Sequence, residues 1–230
     1  KWSKNKKPDL IFCFGWSSIL KYKIIKLAKK FVLGFHPTEL PKNKGRHPII
    51  WSLALGLKKT ASSFFVIKNE SPDSGNIISQ KKILIKDTDN AEFLYKRIMQ
   101  VAQNQLEKIE YKIKNEKKIN LIKNFHSNFW RKREYADGKI DWRMSATNIH
   151  NLVRALSKPY MYAHFNLNNK EIKIIKSKVL KLKDNSINEN FEPGKILVKK
   201  KLFFDIKCGS GILRIFKTNL PVNLKMVNYL

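Results

Sequence analysis

The chain has 230 residues, 43% of them hydrophobic, which is enough apolar matter for one large core or two small ones and excludes a disordered or low-complexity class. Its formal net charge is +29, carried mostly by lysine scattered among many Asn and Ile. An AT-rich genome imposes that composition whatever the function, whereas polyanion grooves favour clustered bases and Arg forks; the charge nonetheless favours anionic ligands. No apolar run approaches the roughly 18 residues needed to cross a bilayer, and Lys1-Trp2-Ser3-Lys4 has no signal-peptide pattern, so a cytoplasmic protein is expected, with no membrane partner. Cys13 and Cys208 stand far apart without a second Cys nearby; neither a disulfide framework nor a metal site is expected.

In chain order, Asp9 to Phe14 (DLIFCF) is a short apolar run closed by Gly15, the pattern of a strand buried on both faces of a parallel sheet. Ser17 to Lys30 has helical spacing and a basic end, and Phe31 to Phe35 reads as a second buried strand, completing a β-α-β unit. After Pro48, Ile49 to Leu57 predicts an apolar helix with Gly56 near its end, followed by strands over Ser62 to Ile67 and Ile77 to Ile85. Thr88 to Ile113 predicts a long helix with Ala91, Leu94, Ile98, Val101, Leu106 and Ile109 on its apolar stripe. The polar stretch WRKREYADG (Trp130 to Gly138) reads as an inter-domain connection, and the division is expected near there, with domains over 1–125 and 126–230. Ser145 to Ser157 predicts a helix N-capped by Ser145. Strands follow over Tyr160 to Leu167, Glu171 to Leu182, Lys195 to Cys208 and Ile212 to Phe216, with turns at Asn168-Asn169 and Gly209-Ser210-Gly211, consistent with a small barrel. The fold class is thus α/β in the first half and mostly β in the second.

The segment GFHPTELPKNKGRHPIIW (Gly34 to Trp51) places His36 at the end of a buried strand, where open α/β sheets present reactive groups. Asp73 stands in a Pro-Asp-Ser-Gly turn after another strand, able to aim a carboxylate at the same crevice. Spacing alone leaves open that His36 is a structural hydrogen-bonder and Asp73 a turn residue. The first segment resembles the His-Pro-Ser-Leu-Leu-Pro signature of the folate-dependent formyltransferases, a superfamily that includes methionyl-tRNA, glycinamide ribonucleotide and sugar N-formyltransferases. SPDSGNIISQ (Ser71 to Gln80) resembles their Asp-(Thr/Ala/Ser)-Gly-x-Ile-x-x-Gln segment at the usual separation. Asp137-Gly138-Lys139-Ile140-Asp141-Trp142 and Asn151-Leu152-Val153-Arg154-Ala155-Leu156 resemble the start of the C-terminal module of the sugar and tRNA branches.

The resemblance implies transfer of a formyl group from 10-formyltetrahydrofolate to an amine, with His36 and Asp73 as catalytic residues and no metal. It implies a pterin passing Phe14, Gly15 and Trp16, with Ser71 on the other side of the pocket; Phe14 and Trp16 read equally well as core aromatics. Gly45 to Trp51 and Lys139 to Trp142 look most like enzymes acting on nucleotide-linked amino sugars. For those, Arg46 could meet an anionic group and Arg154, Lys158 and Tyr160 the nucleotide; Arg154 as a solvated or ion-paired side chain and Tyr160 as a core residue are the alternatives. A methionyl-tRNA formyltransferase, with initiator Met-tRNA as partner, and a non-catalytic folate- or nucleotide-binding relative are the other functions compatible with the pattern, and a homodimer is left open. Two departures stand out. The resemblance implies a Rossmann-like formyltransferase domain followed by a small mostly-β, OB-like barrel domain, but the family's first β-α-β segment has no counterpart, so the first domain is read as truncated, either because the sequence is a fragment, the simpler reading, or because the sheet is reduced. The family's triad Asn, two residues before the His, is Gly34 here, which leaves a backbone N–H, His36 itself or an amide such as Asn43 to supply the missing donor.

Overall fold

The computed structural model describes residues 7–16, 18–123, 125, 127–180, 190–221 and 227–230. Ser17, the expected start of the first helix, Lys181 and Leu182 at the expected end of a strand, and His126 at the expected domain start lie outside the described residues. The chain divides into two compact units. The first comprises Lys1–Pro48, Lys58–Lys86 and Leu94–Lys132; the second comprises Ile49–Leu57, Asp87–Phe93 and Arg133–Leu230.

The first unit is built on a four-stranded sheet of β1 (Leu10–Cys13), β2 (Phe31–His36), β4 (Lys59–Val66) and β5 (Ile77–Leu84), in the order β1-β2-β4-β5. β1 and β2 are parallel, Leu10 beside Phe31 through Cys13 beside Gly34, but β2–β4 and β4–β5 are antiparallel. A strand buried on both faces reads as an apolar run in either direction, so the parallel sheet expected from hydropathy is in fact mixed. β1 lies at the edge of this sheet and is half-exposed rather than buried on both faces, with Phe12 at 41% exposure. Among the described residues of the expected first helix, α1 (Tyr22–Ile25) forms; its N-cap residue Lys21 makes no side-chain cap bond, and the carboxylate of Glu70 accepts from the Tyr22 N–H. Two-residue strands β3 (Lys44–Gly45) and β6 (Phe129–Trp130) pair in parallel. The long helix α3 (Ala91–Lys114; its first turn, Ala91 to Phe93, belongs to the second unit) buries Leu94, Ile98, Ala102, Gln105 and Ile109, whereas Val101 and Leu106 sit at the margin. Gln105 is the polar residue that apolar periodicity passes over: its amide donates to the Ser62 carbonyl at 3.2 Å and to Ser79 Oγ at 2.8 Å, tying the helix to β4 and β5.

The second unit takes in helix α2 (Pro48–Ala54) from Ile49 onward, a short 3-10 turn (Tyr135–Gly138), helix α4 (Ala146–Ala155) and an antiparallel sheet. Ser145 caps α4 as expected, its hydroxyl accepting from the Asn148 N–H. The sheet is made of β7 (Ala163–Leu167), β8 (Lys170–Leu180), β9 (Ile196–Lys199), β10 (Phe204–Lys207) and β11 (Ile212–Thr218), in the order β7-β8-β11-β10-β9. Among the described residues no pairing joins β7 to β9, so the antiparallel strands form an open five-stranded sheet and not a closed barrel. Asn168 and Asn169, both at positive φ, make the two-residue hairpin between β7 and β8. The single strand expected over Lys195 to Cys208 is two strands, because the Lys200 N–H bonds the Phe203 carbonyl and turns the chain. One face of the sheet and the apolar side of α4 form a common core of Ile149, Ile174, Ile206, Leu213, Ile215 and their neighbours. Each such side chain contributes about 1.5–3 kcal/mol by burial.

Cys208 sits in this core with no exposed surface, and burial pushes its thiol up to about 12. In the native protein at pH 8, iodoacetamide is therefore expected to modify the half-buried Cys13 and spare Cys208, with both modified after denaturation, as mass spectrometry would read. Native labelling of Cys208 at the rate of a free thiol would contradict the packing described.

Candidate active site

His36 is the last residue of β2, the first polar side chain after four apolar residues and a glycine, and it is 5% exposed. The chain then leaves the sheet through Pro37 to Asn43, and the polar side chains of β4 and β5 hold that turn. The Thr60 hydroxyl donates to the Pro37 carbonyl at 2.8 Å, Ser63 Oγ to the Thr38 carbonyl at 2.6 Å, and the Gln80 amide to the Leu40 carbonyl at 2.8 Å. Glu39 in the same turn pairs with Lys82 at 3.0 Å; the Lys82 hydrogen bond, with Lys59 and Lys42 nearby, holds its carboxyl below the ordinary glutamate value. These contacts explain the buried hydroxyls of a strand otherwise read as plain core: they fix the segment that follows His36.

Both ring nitrogens of His36 face acceptors. Nε2 lies 3.0 Å from the Asn43 carbonyl, and because a carbonyl oxygen only accepts, Nε2 carries the hydrogen. Nδ1 lies 3.7 Å from Asp73 Oδ2. That same carboxylate oxygen accepts from the Gly45 N–H at 3.0 Å. Asn43, His47 and Asp73 hold φ of 62°, 53° and 50°, and Gly45 holds 101°. Left-handed backbone at non-glycine residues concentrates where surrounding structure over-determines it, commonly at functional sites. Gly45 is required on steric grounds as well, since a Cβ there would lie 2.3 Å from the Trp130 carbonyl oxygen.

The structure thus brings His36, Asp73 and Asn43 together in the first unit. Arg46, also in this unit, is exposed, and its N–H bonds the Trp130 carbonyl. Phe14 stacks on Phe35 at 4.7 Å and tilts against Phe64, as a packing aromatic does, while Trp16 is 60% exposed. Gly15 has a φ of 59°, and a Cβ added there would meet nothing within 4 Å among the described residues. Ser71 is exposed, its N–H donating to Asn69 Oδ1. The remaining three candidates lie in the second unit. Arg154 donates to Asn151 Oδ1 and to the Asp89 carbonyl, and burial lowers its pKa against the opposing pull of Asp87 and Asp89. Lys158 is exposed; Tyr160 is half-buried in the turn before β7, not within the strand expected to contain it. Asn128 went unnoticed in the sequence: it lies in a polar linker and gains meaning only through β6, which brings it against Asn43.

Family models match both parts of the chain, formyl transferase over residues 2–109 and formyl transferase, C-terminal domain, over residues 132–226. The chain belongs to the formyl transferase family. A curated relative, the bifunctional polymyxin resistance protein ArnA of Wigglesworthia glossinidia brevipalpis, is 38% identical over 200 residues, covering 85% of this chain and 30% of that protein. Among solved structures, HypX from Aquifex aeolicus superposes with a TM-score of 0.68 at 18% identity over 94% of this chain and 38% of that one. The N-formyltransferase from Helicobacter canadensis, solved with folinic acid and dTDP-3-aminofucose, superposes with a TM-score of 0.69 at 23% identity over 90% and 72%. The chain therefore spans less than two fifths of ArnA and HypX, and the two structural likenesses establish the shared fold.

Within this formyl transferase, Gly34 has a packing cause. A Cβ at position 34 would lie 2.5 Å from Phe65 Cζ and 2.9 Å from both flanking ring carbons, so the Phe65 ring of β4 occupies the space that an Asn side chain would start from. Gly34→Asn is expected to destabilise the protein by about 1–3 kcal/mol, the usual scale of overpacking, and adding Phe65→Ala should recover part of that loss in denaturant titrations. Equal stability of Gly34→Asn and the parent would show that Phe65 does not exclude the side chain.

Proposed function

We propose that the protein transfers a formyl group from 10-formyltetrahydrofolate to the amine of a nucleotide-linked amino sugar, through a module spanning roughly residues 1–125. The observation that carries this reading is the buried His36, set between the Asn43 carbonyl and the Asp73 carboxylate. Support for the substrate class comes from the Helicobacter canadensis N-formyltransferase, whose solved complex contains folinic acid and dTDP-3-aminofucose.

In this reading 10-formyltetrahydrofolate supplies the formyl carbon. As the amine adds, its nitrogen gains positive charge and the formyl oxygen negative charge, so the site must remove a proton and stabilise an oxyanion. His36 is assigned both roles, with Asp73 orienting its ring and compensating the charge the ring takes up. The Gly45 N–H fixes the Asp73 oxygen nearest the ring and so holds the pair in register. The exposed Trp16 and the backbone at Gly15, which no described residue crowds, fit a flat pterin, with Ser71 assigned to its other side. Arg46 is assigned to an anionic group of the acceptor.

His36→Asn is expected to lower kcat by roughly two to four orders of magnitude, the scale of a lost acid/base or oxyanion group, with little change in folate affinity. The measurement is formylated product from 10-formyltetrahydrofolate with a panel of nucleotide-linked amino sugars and initiator Met-tRNA. Near-normal turnover by His36→Asn would end the catalytic assignment and favour a binding role. Product only from the tRNA, with affinity falling steeply in salt, would replace the sugar by the tRNA.

A further inference from the structure

The position that holds an amide in the family's triad is Gly34 here, closed off by Phe65, yet an amide pair includes Asn43, whose carbonyl meets His36 Nε2. The parallel register of β3 and β6, Lys44 beside Phe129 and Gly45 beside Trp130, sets Asn128 against Asn43 from 85 residues away. Two reciprocal hydrogen bonds join them. The Asn43 N–H donates to Asn128 Oδ1 at 3.0 Å, and Asn128 Nδ2 donates to Asn43 Oδ1 at 2.9 Å. Together they engage the backbone and the side chain of Asn43, the residue held at a φ of 62°.

That conformation points the Asn43 carbonyl at His36 Nε2. Asn tolerates the left-handed region better than most residues, and the surrounding hydrogen bonds hold this one there. The buried Lys44 helps from the same side, but its Nζ donates to the Phe125 carbonyl at 2.9 Å and not to Asn43. Among the described residues it is the Asn128 side chain that hydrogen-bonds both the backbone and the side chain of Asn43.

We propose that Asn128 is a positioning residue that selects the working tautomer of His36. By clamping Asn43 it keeps the carbonyl on Nε2, so Nε2 carries a hydrogen and Nδ1, facing the Asp73 carboxylate, is the nitrogen left to take up a further proton. Without the clamp Asn43 relaxes toward ordinary backbone angles, the carbonyl leaves Nε2, and the ring is free to exchange its hydrogen between the two nitrogens. The proposal rests on His36 as the reacting group only for its kinetic consequence; the tautomer itself is a property of the protein without substrate.

The test is a long-range ¹H–¹⁵N spectrum of the histidine side chains in the ¹⁵N-labelled protein, with His36 assigned by His36→Asn, alongside kcat and KM. Wild type is expected to show the Nε2-protonated pattern. Asn128→Ala is expected to move His36 toward an averaged pattern and to lower kcat about 10- to 100-fold, the cost of a slightly misplaced catalytic group, with KM for either substrate almost unchanged. Asn128→Asp keeps an acceptor at the same reach for the Asn43 N–H and is expected to recover the wild-type pattern. An unaltered His36 pattern in Asn128→Ala, or no recovery in Asn128→Asp, overturns the proposal. Because the spectra are taken without substrate, they decide the matter even if no amine tested is formylated, an outcome that would count against the formyl-transfer reading instead.

Discussion

The site depends on one constraint: a short loop of chain leaves the sheet at His36 and is tied back to it within seven residues. The Asn43 carbonyl meets His36 Nε2, and the Gly45 N–H meets the Asp73 oxygen that faces His36 Nδ1. Backbone groups two residues apart thus grip both members of the pair, and relative motion of the ring and the carboxylate requires breaking a part-buried hydrogen bond. Unmade hydrogen bonds of buried polar groups cost about 1–3 kcal/mol each, so the arrangement is held in register before any substrate arrives. The left-handed angles at Asn43, Gly45 and Asp73 are the backbone counterpart of that grip.

The sheet supplies the anchor for this loop. β4 runs through the middle of it, and its buried hydroxyls at Thr60 and Ser63 donate to the carbonyls of Pro37 and Thr38. Gln80 completes the hold from β5 at the Leu40 carbonyl. The final Gln of the family-like segment beginning at Asp73 therefore has a physical purpose, because one end of that segment faces His36 and the other secures the turn that His36 opens. Gly34 and Phe65 obey the same limits of space, the small residue on β2 accommodating the ring on β4 at the place where the family's triad has an amide.

Much of this was legible in the residues. His36 after an apolar strand, Asp73 in its Pro-Asp-Ser-Gly turn and the Ser145 cap of α4 were all marked by side-chain type and local pattern. Strand direction was not, because an apolar run such as Ser62 to Ile67 looks the same in parallel and antiparallel pairing. The start of the first helix at Tyr22 was not legible either, because the group that accepts from its N-terminal N–H is Glu70, nearly fifty residues later, and no window of local sequence contains that partner. The strand expected over Lys195 to Cys208 proved to be two, since a turn of Lys and Leu carries none of the Gly, Asn or Pro signals that mark one. Asn128 lay hidden for a similar reason: an Asn in a polar linker has no distinguishing mark until two short strands pair and set it against Asn43.

If the loop holds His36 and Asp73 as one device, their contributions to turnover cannot be independent. A double-mutant cycle on kcat/KM with His36→Asn, Asp73→Asn and the combined variant measures that dependence directly. A single device predicts that the combined variant is little worse than the poorer of the two single ones. Losses that multiply, each substitution costing the same factor whether or not the other is present, would show that the two side chains act separately and would contradict the account.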